Sequence, residues 1–462
     1  MKKFYLFAAA AVLLTACVKT QNLDEVAPIG ADETAVSFDV YTARATKAGK
    51  PLEITTDSLK KGPGFGVFAY YTNNGTYDQY VKPNFMYNQQ VKWKKESEVW
   101  AYEPVKYWPN ETGNAAASDD RDYVTFFAYA PYVITDRSTG AVKVPTNIEN
   151  LELDETKEQH RNITGLINNN TMGDPKIKYV VDWNPKTSVD LLWGVQSSDD
   201  EKIDGLPFLN QLKPNKATDK TKFNLKHALA KLNVQIDAIA DVSIDPSYAG
   251  DDIDSKTKIY VRSITFDGFA AKGALNLNNT VPNTPLWMDY AGIDNLVGEP
   301  VTIFDGRKDG KEGYLDGEAM REKVVGLNPA IIQSGVPTVG VTKTTVNLFK
   351  PFSETKPEED PIYVIPNGES MRVTIVYDVE TEDKNLAGYL SDGKTHGSSI
   401  ENTITRYIYY NDPAPIVGNN VRMSAGKVYT IKLHLGMTTV KVDAEVTNWV
   451  EGGVEPFTNL PG

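Results

Sequence analysis

A single cysteine, Cys17, stands among 462 residues, alongside only four histidines. One thiol cannot close an internal disulfide, so the fold has to be held by an ordinary packed core. A chain of this length can supply that core as two domains. The histidines, His160, His227, His396 and His434, are far apart, and none has a second histidine or a cysteine at metal-ligand spacing. The common zinc motifs are thereby excluded, and His227 and His434, inside strand-like runs, read as hydrogen-bonded structural histidines. Positive charge is also short. With 48 Lys+Arg against 61 Asp+Glu the formal net charge is −13, which argues against nucleic acid or an anionic membrane as a partner held by basic patches. Long apolar runs are absent too: Phe4 to Leu14 falls short of the ~20 residues that a spanning helix needs. No repeat of fixed period is present, which excludes solenoids and propellers.

Catalytic signatures are missing as well. There is no Gly-x-Ser-x-Gly elbow, and Gly62-Pro63-Gly64-Phe65-Gly66 lacks the lysine and following helix of a phosphate loop. It reads as a turn beside closely packed strands. Acidic clusters occur at Asp119-Asp120, Asp199-Asp200-Glu201 and Asp251-Asp252-Ile253-Asp254, and Asp305 to Gly310 partly resembles a calcium loop. In that last stretch Arg307 occupies a position that needs an oxygen ligand, so solvated acidic loops are the reading adopted for all four. No pair of carboxylates is singled out for glycoside hydrolysis. The sequence therefore assigns no catalytic residue, no metal and no cofactor, and the chain is not read as an enzyme.

What is present begins at the N-terminus. Lys2 and Lys3 precede the apolar run, and Leu14-Thr15-Ala16-Cys17 closes it with small residues before the cysteine. This layout is that of a lipoprotein signal peptide over residues 1–16, with lipid, palmitate included, attached to Cys17. Residues 18–34 are polar and read as a tether. Alternation then dominates. Val36, Phe38 and Val40 alternate with Ser37, Asp39 and Tyr41, a first strand with one buried face. Gly64 to Tyr71 and Tyr123 to Ala130 are aromatic and β-branched runs bounded by Pro63 and Pro131. Further strands are expected at 177–183, 189–195, 223–236, 257–267, 344–349, 362–366, 371–379, 404–410, 427–435 and 438–449. Such spacing, punctuated by Gly, Pro, Asn and Asp, suits antiparallel sandwiches. Short helices are candidates only at 204–212 and 317–325. Residues 137–175 and 281–343 read as long loops. The expected division is 17–44 as tether and first strand, 45–222 as an N-terminal domain and 223–462 as a C-terminal domain.

Trp93, Trp100, Tyr102, Tyr107 and Trp108 crowd one short stretch. Aromatic cross-strand pairs in a core account for them. The competing reading is a sugar-stacking platform, which would make the chain a surface glycan-binding lipoprotein of the outer membrane.

Several segments, in order, resemble the Bacteroidetes fimbrillin family, the type V pilins. Val99-Trp100-Ala101-Tyr102-Glu103-Pro104-Val105-Lys106-Tyr107-Trp108-Pro109, followed by Thr125 to Pro131, is similar to that family's first-domain signature. Val189-Asp190-Leu191-Leu192-Trp193-Gly194 resembles the segment ahead of its domain junction, and Phe223 to Leu232 the junction strand. Gly426 to Ile431, with Val440, Val442, Ala444, Val446 and Trp449, resembles its closing strands. The likeness spans about 400 residues.

The resemblance implies an all-β chain of two transthyretin-like antiparallel β-sandwich domains in tandem, and assembly by strand exchange. On this pattern an exported outer-membrane lipoprotein precursor is trimmed by an arginine-specific protease. Its first strand, here with Val36, Phe38 and Val40, leaves, and a C-terminal strand of the next subunit fills the groove in an extracellular fimbria. Arg44, followed by Ala45, is the only arginine between Cys17 and Arg121 and stands directly after that strand, where chain is accessible to proteases. Partners are then other fimbrial subunits, in a homo- or hetero-polymer, with the lipid on Cys17 holding the precursor to the membrane before processing. The donor is expected among Val440, Val442, Ala444, Val446 and Trp449 or in the tail 450–462.

Overall fold

The computed structural model describes residues 34–42, 54–73, 75–109, 122–142, 162–167, 172–183, 188–196, 205–238, 257–279, 286–288, 300–305, 346–347, 362–382, 397–408, 423–435 and 440–448. In chain order the elements are β1 (Phe38–Thr42), α1 (Thr56–Lys61), β2 (Phe65–Thr72), β3 (Met86–Lys94), β4 (Val99–Ala101), β5 (Tyr123–Ala130), β6 (Ile163–Ile167), β7 (Lys176–Val180), β8 (Leu192–Val195), β9 (Phe208–Gln211) and β10 (Thr221–His227). They continue as β11 (Ala230–Ala238), β12 (Thr257–Ala270), β13 (Lys272–Asn276), β14 (Trp287–Met288), β15 (Val301–Asp305), β16 (Val346–Asn347), β17 (Ile362–Glu382), β18 (Gly397–Tyr407), β19 (Lys427–Leu435) and β20 (Val440–Asn448).

The chain is all-β in its described part apart from one helical turn and a half. A first sheet runs β1-β10-β8-β5-β2-β3-β4, with β9 also paired to β5. A second runs β15-β12-β17-β11-β19-β20, with β16 on β11 and β18 on β17. A third, of four strands, runs β14-β13-β7-β6. Pairing is antiparallel with two exceptions, β1 on β10 and β11 on β19, which are parallel. Wholly antiparallel sheets are thus not what forms: a parallel pair needs a long connection, and both of these join strands far apart in sequence.

The first sheet is buried on both faces, which explains the unbroken apolar run of β2. Phe65, Val67 and Ala69 enter one cluster with Val124, Phe126 and Ala128 of β5. Phe68 and Tyr70 enter the other with Phe127 and Tyr129. Successive side chains of a strand point to opposite faces, so a two-sided core demands apolar residues at every position. The second cluster continues without a break through the third sheet to β11, β17 and β19.

The expected division at 222/223 falls inside β10, which pairs with β8 and β1 of the first sheet. The chain passes to the second sheet only beyond Ala228-Leu229, so the single strand expected over 223–236 is two strands. The third sheet takes β6 and β7 from before that point and β13 and β14 from after it, β7 pairing with β13 over five residues. Of the two helix candidates, 204–212 holds strand β9 instead, and 317–325 lies outside the described residues. Residues 137–175 include β6, and 281–343 include β14 and β15.

Candidate functional site: the groove that holds the first strand

Segment 34–42 lies between two neighbours. On one side β1 makes a parallel ladder from Phe38 opposite Thr221 to Thr42 opposite Leu225, and the Thr221 N–H donates to the Ser37 carbonyl at 2.9 Å. On the other side Ala35 bridges Tyr107 antiparallel. There the Val36 N–H donates to the Lys106 carbonyl and the Trp108 N–H to the Thr34 carbonyl, both at 2.8 Å. A segment at the start of the described chain thus closes an edge of the first sheet.

Its side chains are more deeply set than its position suggests. Val36, Phe38 and Val40 are buried, while Asp39 and Tyr41 are half-buried. Phe38 sits in an aromatic nest: it stacks on Phe223 at 5.9 Å between centroids, meets Phe126 edge-on at 5.7 Å and Tyr102 at 5.5 Å. Three such side chains bury roughly 5–9 kcal/mol of gross hydrophobic free energy. Tyr102 also anchors the backbone. Its hydroxyl donates to the Val36 carbonyl at 2.8 Å and accepts from the Lys106 N–H at 3.2 Å. Burial holds that phenol well above the ordinary tyrosine range, with the Lys106 backbone bond opposing, so it stays a neutral donor.

The far end of the strand is tied to the helix. The Thr42 N–H donates to Thr56 Oγ1 at 2.9 Å, and the Thr56 N–H to Thr42 Oγ1 at 3.2 Å. Helix α1 is set at that spot by a capping box: the Thr55 hydroxyl accepts from the Ser58 N–H and the Ser58 hydroxyl from the Thr55 N–H. Each satisfies an orphan donor of the first turn. Sequence periodicity gives no hint of the Thr42–Thr56 link, because a six-residue helix shows too little pattern.

The remaining sequence candidates are distributed as follows. Cys17, Arg44, Ala45, Trp449, the tail 450–462, His160 and His396 lie outside the described residues. So do the first three acidic clusters and the Asp305 to Gly310 stretch beyond Asp305. Val440, Val442, Ala444 and Val446 lie on β20, which pairs along its whole length with β19 at an edge of the second sheet. Val446 packs half-buried against the core. Among the described residues no group of three His, Cys, Asp or Glu side chains could hold a metal ion. His227 is a structural histidine: its Nδ1 lies 2.8 Å from Oδ2 of the fully buried Asp190, whose Oδ1 accepts from the Leu191 N–H.

Most of the aromatic stretch is core. Trp100, Tyr102 and Trp108 are buried, and Trp93 pairs across the β3–β4 ladder with Trp100, rings edge-on at 5.4 Å. The rings of Trp100, Tyr102 and Trp108 are spent on neighbouring rings and Lys60 lies over Trp93; Tyr107 is half-buried. Gly64 has φ +75°, and a Cβ there would overlap the Val91 carbonyl oxygen; one at Gly66 would overlap the Tyr129 ring. These are the turn and the close approach that the glycines serve.

No family model matches the chain. A curated relative, "Fimbrium subunit Fim1C" of Phocaeicola vulgatus, is 23% identical over 456 residues, covering 95% of each chain. Over nearly its whole length the chain is similar to a Bacteroidetes fimbrium subunit. A solved structure described as a fimbrial protein from Bacteroides vulgatus superposes on this chain with a TM-score of 0.50 at 20% identity. It covers 90% of this chain and 99% of that one. At that identity the likeness speaks to the shared fold, a multi-sheet β architecture.

Proposed function

We propose that the chain is a structural subunit of an extracellular surface fimbria, contributing to adhesion, and assembled by replacement of its own first strand. One observation carries this reading. A segment near the N-terminus, at a sheet edge, supplies the centre of an aromatic core while remaining joined to the rest by hydrogen bonds to three separate segments, β10, the 102–108 loop and the start of α1. Such a strand can be withdrawn as a unit, and the groove it leaves is lined by Phe223, Phe126, Phe65 and Tyr102 with unpaired backbone groups along both walls. An incoming strand restores ladder and burial together. The whole-length similarity to a fimbrium subunit supports the same role.

The remaining steps complete the proposal. Residues 1–16 direct export, and lipid on Cys17 holds the precursor in the outer membrane. An arginine-specific protease cuts between Arg44 and Ala45, and the donor comes from the Val440–Trp449 region or the tail beyond it. Subunits of the same or another kind are the partners, and the role is structural, not catalytic.

The test is N-terminal sequencing of the surface form combined with electron microscopy after arginine-specific proteolysis. A mature start at Ala45, with filaments from trimmed protein and none from Arg44→Ala, is the expected result. Trimmed protein that stays monomeric with its groove empty, or Arg44→Ala that polymerises normally, overturns it.

A further inference from the structure

Beside β3, on the side of the first sheet away from β10, lies an open cavity of about 300 Å³, at the small end of ligand clefts. Three separated segments build it. Phe85, Tyr87 and Tyr132 supply aromatic rings, and Lys106 and Arg137 supply two cations.

The polar groups around it divide into spent and unspent. Asn88 is fully used: its Nδ2 donates to the Val133 carbonyl and Thr135 Oγ1, and its Oδ1 accepts from the Tyr129 hydroxyl. Gln89 Nε2 donates to the Gln90 and Glu103 carbonyls. Asp136, the nearest acid in sequence to Arg137, is turned into its own loop. Its Oδ1 accepts from the Ser138 hydroxyl and from the Ser138 and Thr139 N–H groups.

The two cations are not used in this way. Among the described residues neither Lys106 nor Arg137 has a carboxylate partner; the Arg137 guanidinium lies 5.9 Å from the Tyr87 ring centroid. The Tyr87 hydroxyl is itself buried with no hydrogen-bond partner, which a native structure rarely leaves unexplained. Burial raises that phenol and the guanidinium opposes, so it remains a protonated donor. Two cations with no carboxylate partner among the described residues, around one hollow, are conspicuous on a chain of net charge −13, where carboxylates are in excess.

We propose that this cavity binds the carboxylated sugar residue of a glycan, a uronic or sialic acid unit. A guanidinium matches a planar carboxylate by two parallel N–H···O bonds. Aromatic rings accept the apolar face of the sugar, and the volume suits one ring rather than a long oligosaccharide. A bare inorganic anion uses the cations but not the rings, and a neutral sugar uses the rings but not the cations. The inference stands on the cavity alone and does not rest on fimbrial assembly.

The experiment is calorimetric titration of the full chain with N-acetylneuraminic acid and glucuronic acid, alongside galactose and inorganic phosphate. The expected result is millimolar or tighter binding of a sugar acid, with at least roughly tenfold weaker binding of galactose and of phosphate. Arg137→Ala and Lys106→Gln should each weaken the sugar acid by about tenfold or more. Both side chains lie at the surface or half-buried, so unchanged thermal melting shows that the variants fold. No sugar-acid binding at about 10 mM, or equal binding of galactose or of phosphate, overturns the assignment. So does full affinity in the folded Arg137→Ala variant.

Discussion

The hydroxyl of Tyr102 donates a 2.8 Å hydrogen bond to the carbonyl of Val36, pinning the lead-in to the first strand to the loop that carries the other wall of its groove. Removing that hydroxyl leaves the Val36 carbonyl and the Lys106 N–H without this partner in a buried place. Tyr102→Phe should therefore cost about 1–3 kcal/mol, read as a lower urea midpoint at unchanged slope.

Phe38 should matter far more than its neighbour on the opposite face. Phe38→Ala empties the nest between Phe223, Phe126 and Tyr102 and should destabilise by about 3–5 kcal/mol. Tyr41 is half-buried, with the Lys222 ammonium 5.1 Å from its ring, and Tyr41→Ala should cost about 1 kcal/mol. Hydrogen exchange at Val36 to Thr42 is the second readout: protection should fall sharply in the first variant and little in the second.

His227 and Asp190 form a buried polar pair. His227→Ala strands a fully buried carboxylate with backbone donors alone and should cost about 3 kcal/mol. The double variant His227→Leu with Asp190→Leu should recover part of that loss, since neither charge nor vacancy then remains. A double variant less stable than the additive sum contradicts this account.

The loop that presents Arg137 depends on the ionised form of Asp136. The Ser138 hydroxyl, then the Thr139 and Ser138 N–H groups, hold its carboxyl down at about 2. A carboxyl lowered in the folded state stabilises its turn above the unfolded value of 3.8 and releases it as pH falls through the folded one. The carboxyl carbon of Asp136 should titrate near pH 2 by nuclear magnetic resonance, and sugar-acid binding through this loop should persist in mild acid. A midpoint near 4 counts against the geometry.

Gly64→Ala should be the harshest glycine-to-alanine change among the described residues. The φ of +75° disfavours any side chain, and the added methyl overlaps a backbone oxygen that cannot move cheaply. Roughly 2–5 kcal/mol of destabilisation is expected, seen as a large drop in melting temperature or in soluble yield.

Strand identity was the most legible part of this chain, because alternation at 36–40 and the largely apolar runs at 65–71 and 123–130 are direct signatures of one-sided and two-sided burial. Breaks within apolar stretches were not. His227-Ala228-Leu229-Ala230 carries no turn residue, yet the chain changes sheets there. The strands expected separately at 362–366 and 371–379 are one strand, β17, which runs through Pro366-Asn367-Gly368 with irregular register against β12 around Gly268 at φ +86°. The stretch 204–212 reads as helical but is committed to a strand by contacts from afar: Phe208 meets Phe223 edge-on at 5.1 Å, and the Tyr77 N–H donates to Asn210 Oδ1. The groove was half visible, since its occupant alternates in sequence while its lining comes from residues spread between Phe65 and Phe223. The cavity at Lys106 and Arg137 was invisible, being assembled from three segments with no shared motif.

The parallel sense of the β1–β10 pairing has a consequence for any chain that takes the place of β1. A substitute that reuses the same ladder must lie in the direction of β10, entering near Thr34 and emerging near Thr42. The contact so made is heterologous, one kind of surface on the giver and another on the receiver, so two copies complete it only by exchanging strands reciprocally. Unless its rotation happens to close a ring, such a contact repeats without limit and gives a filament with distinguishable ends.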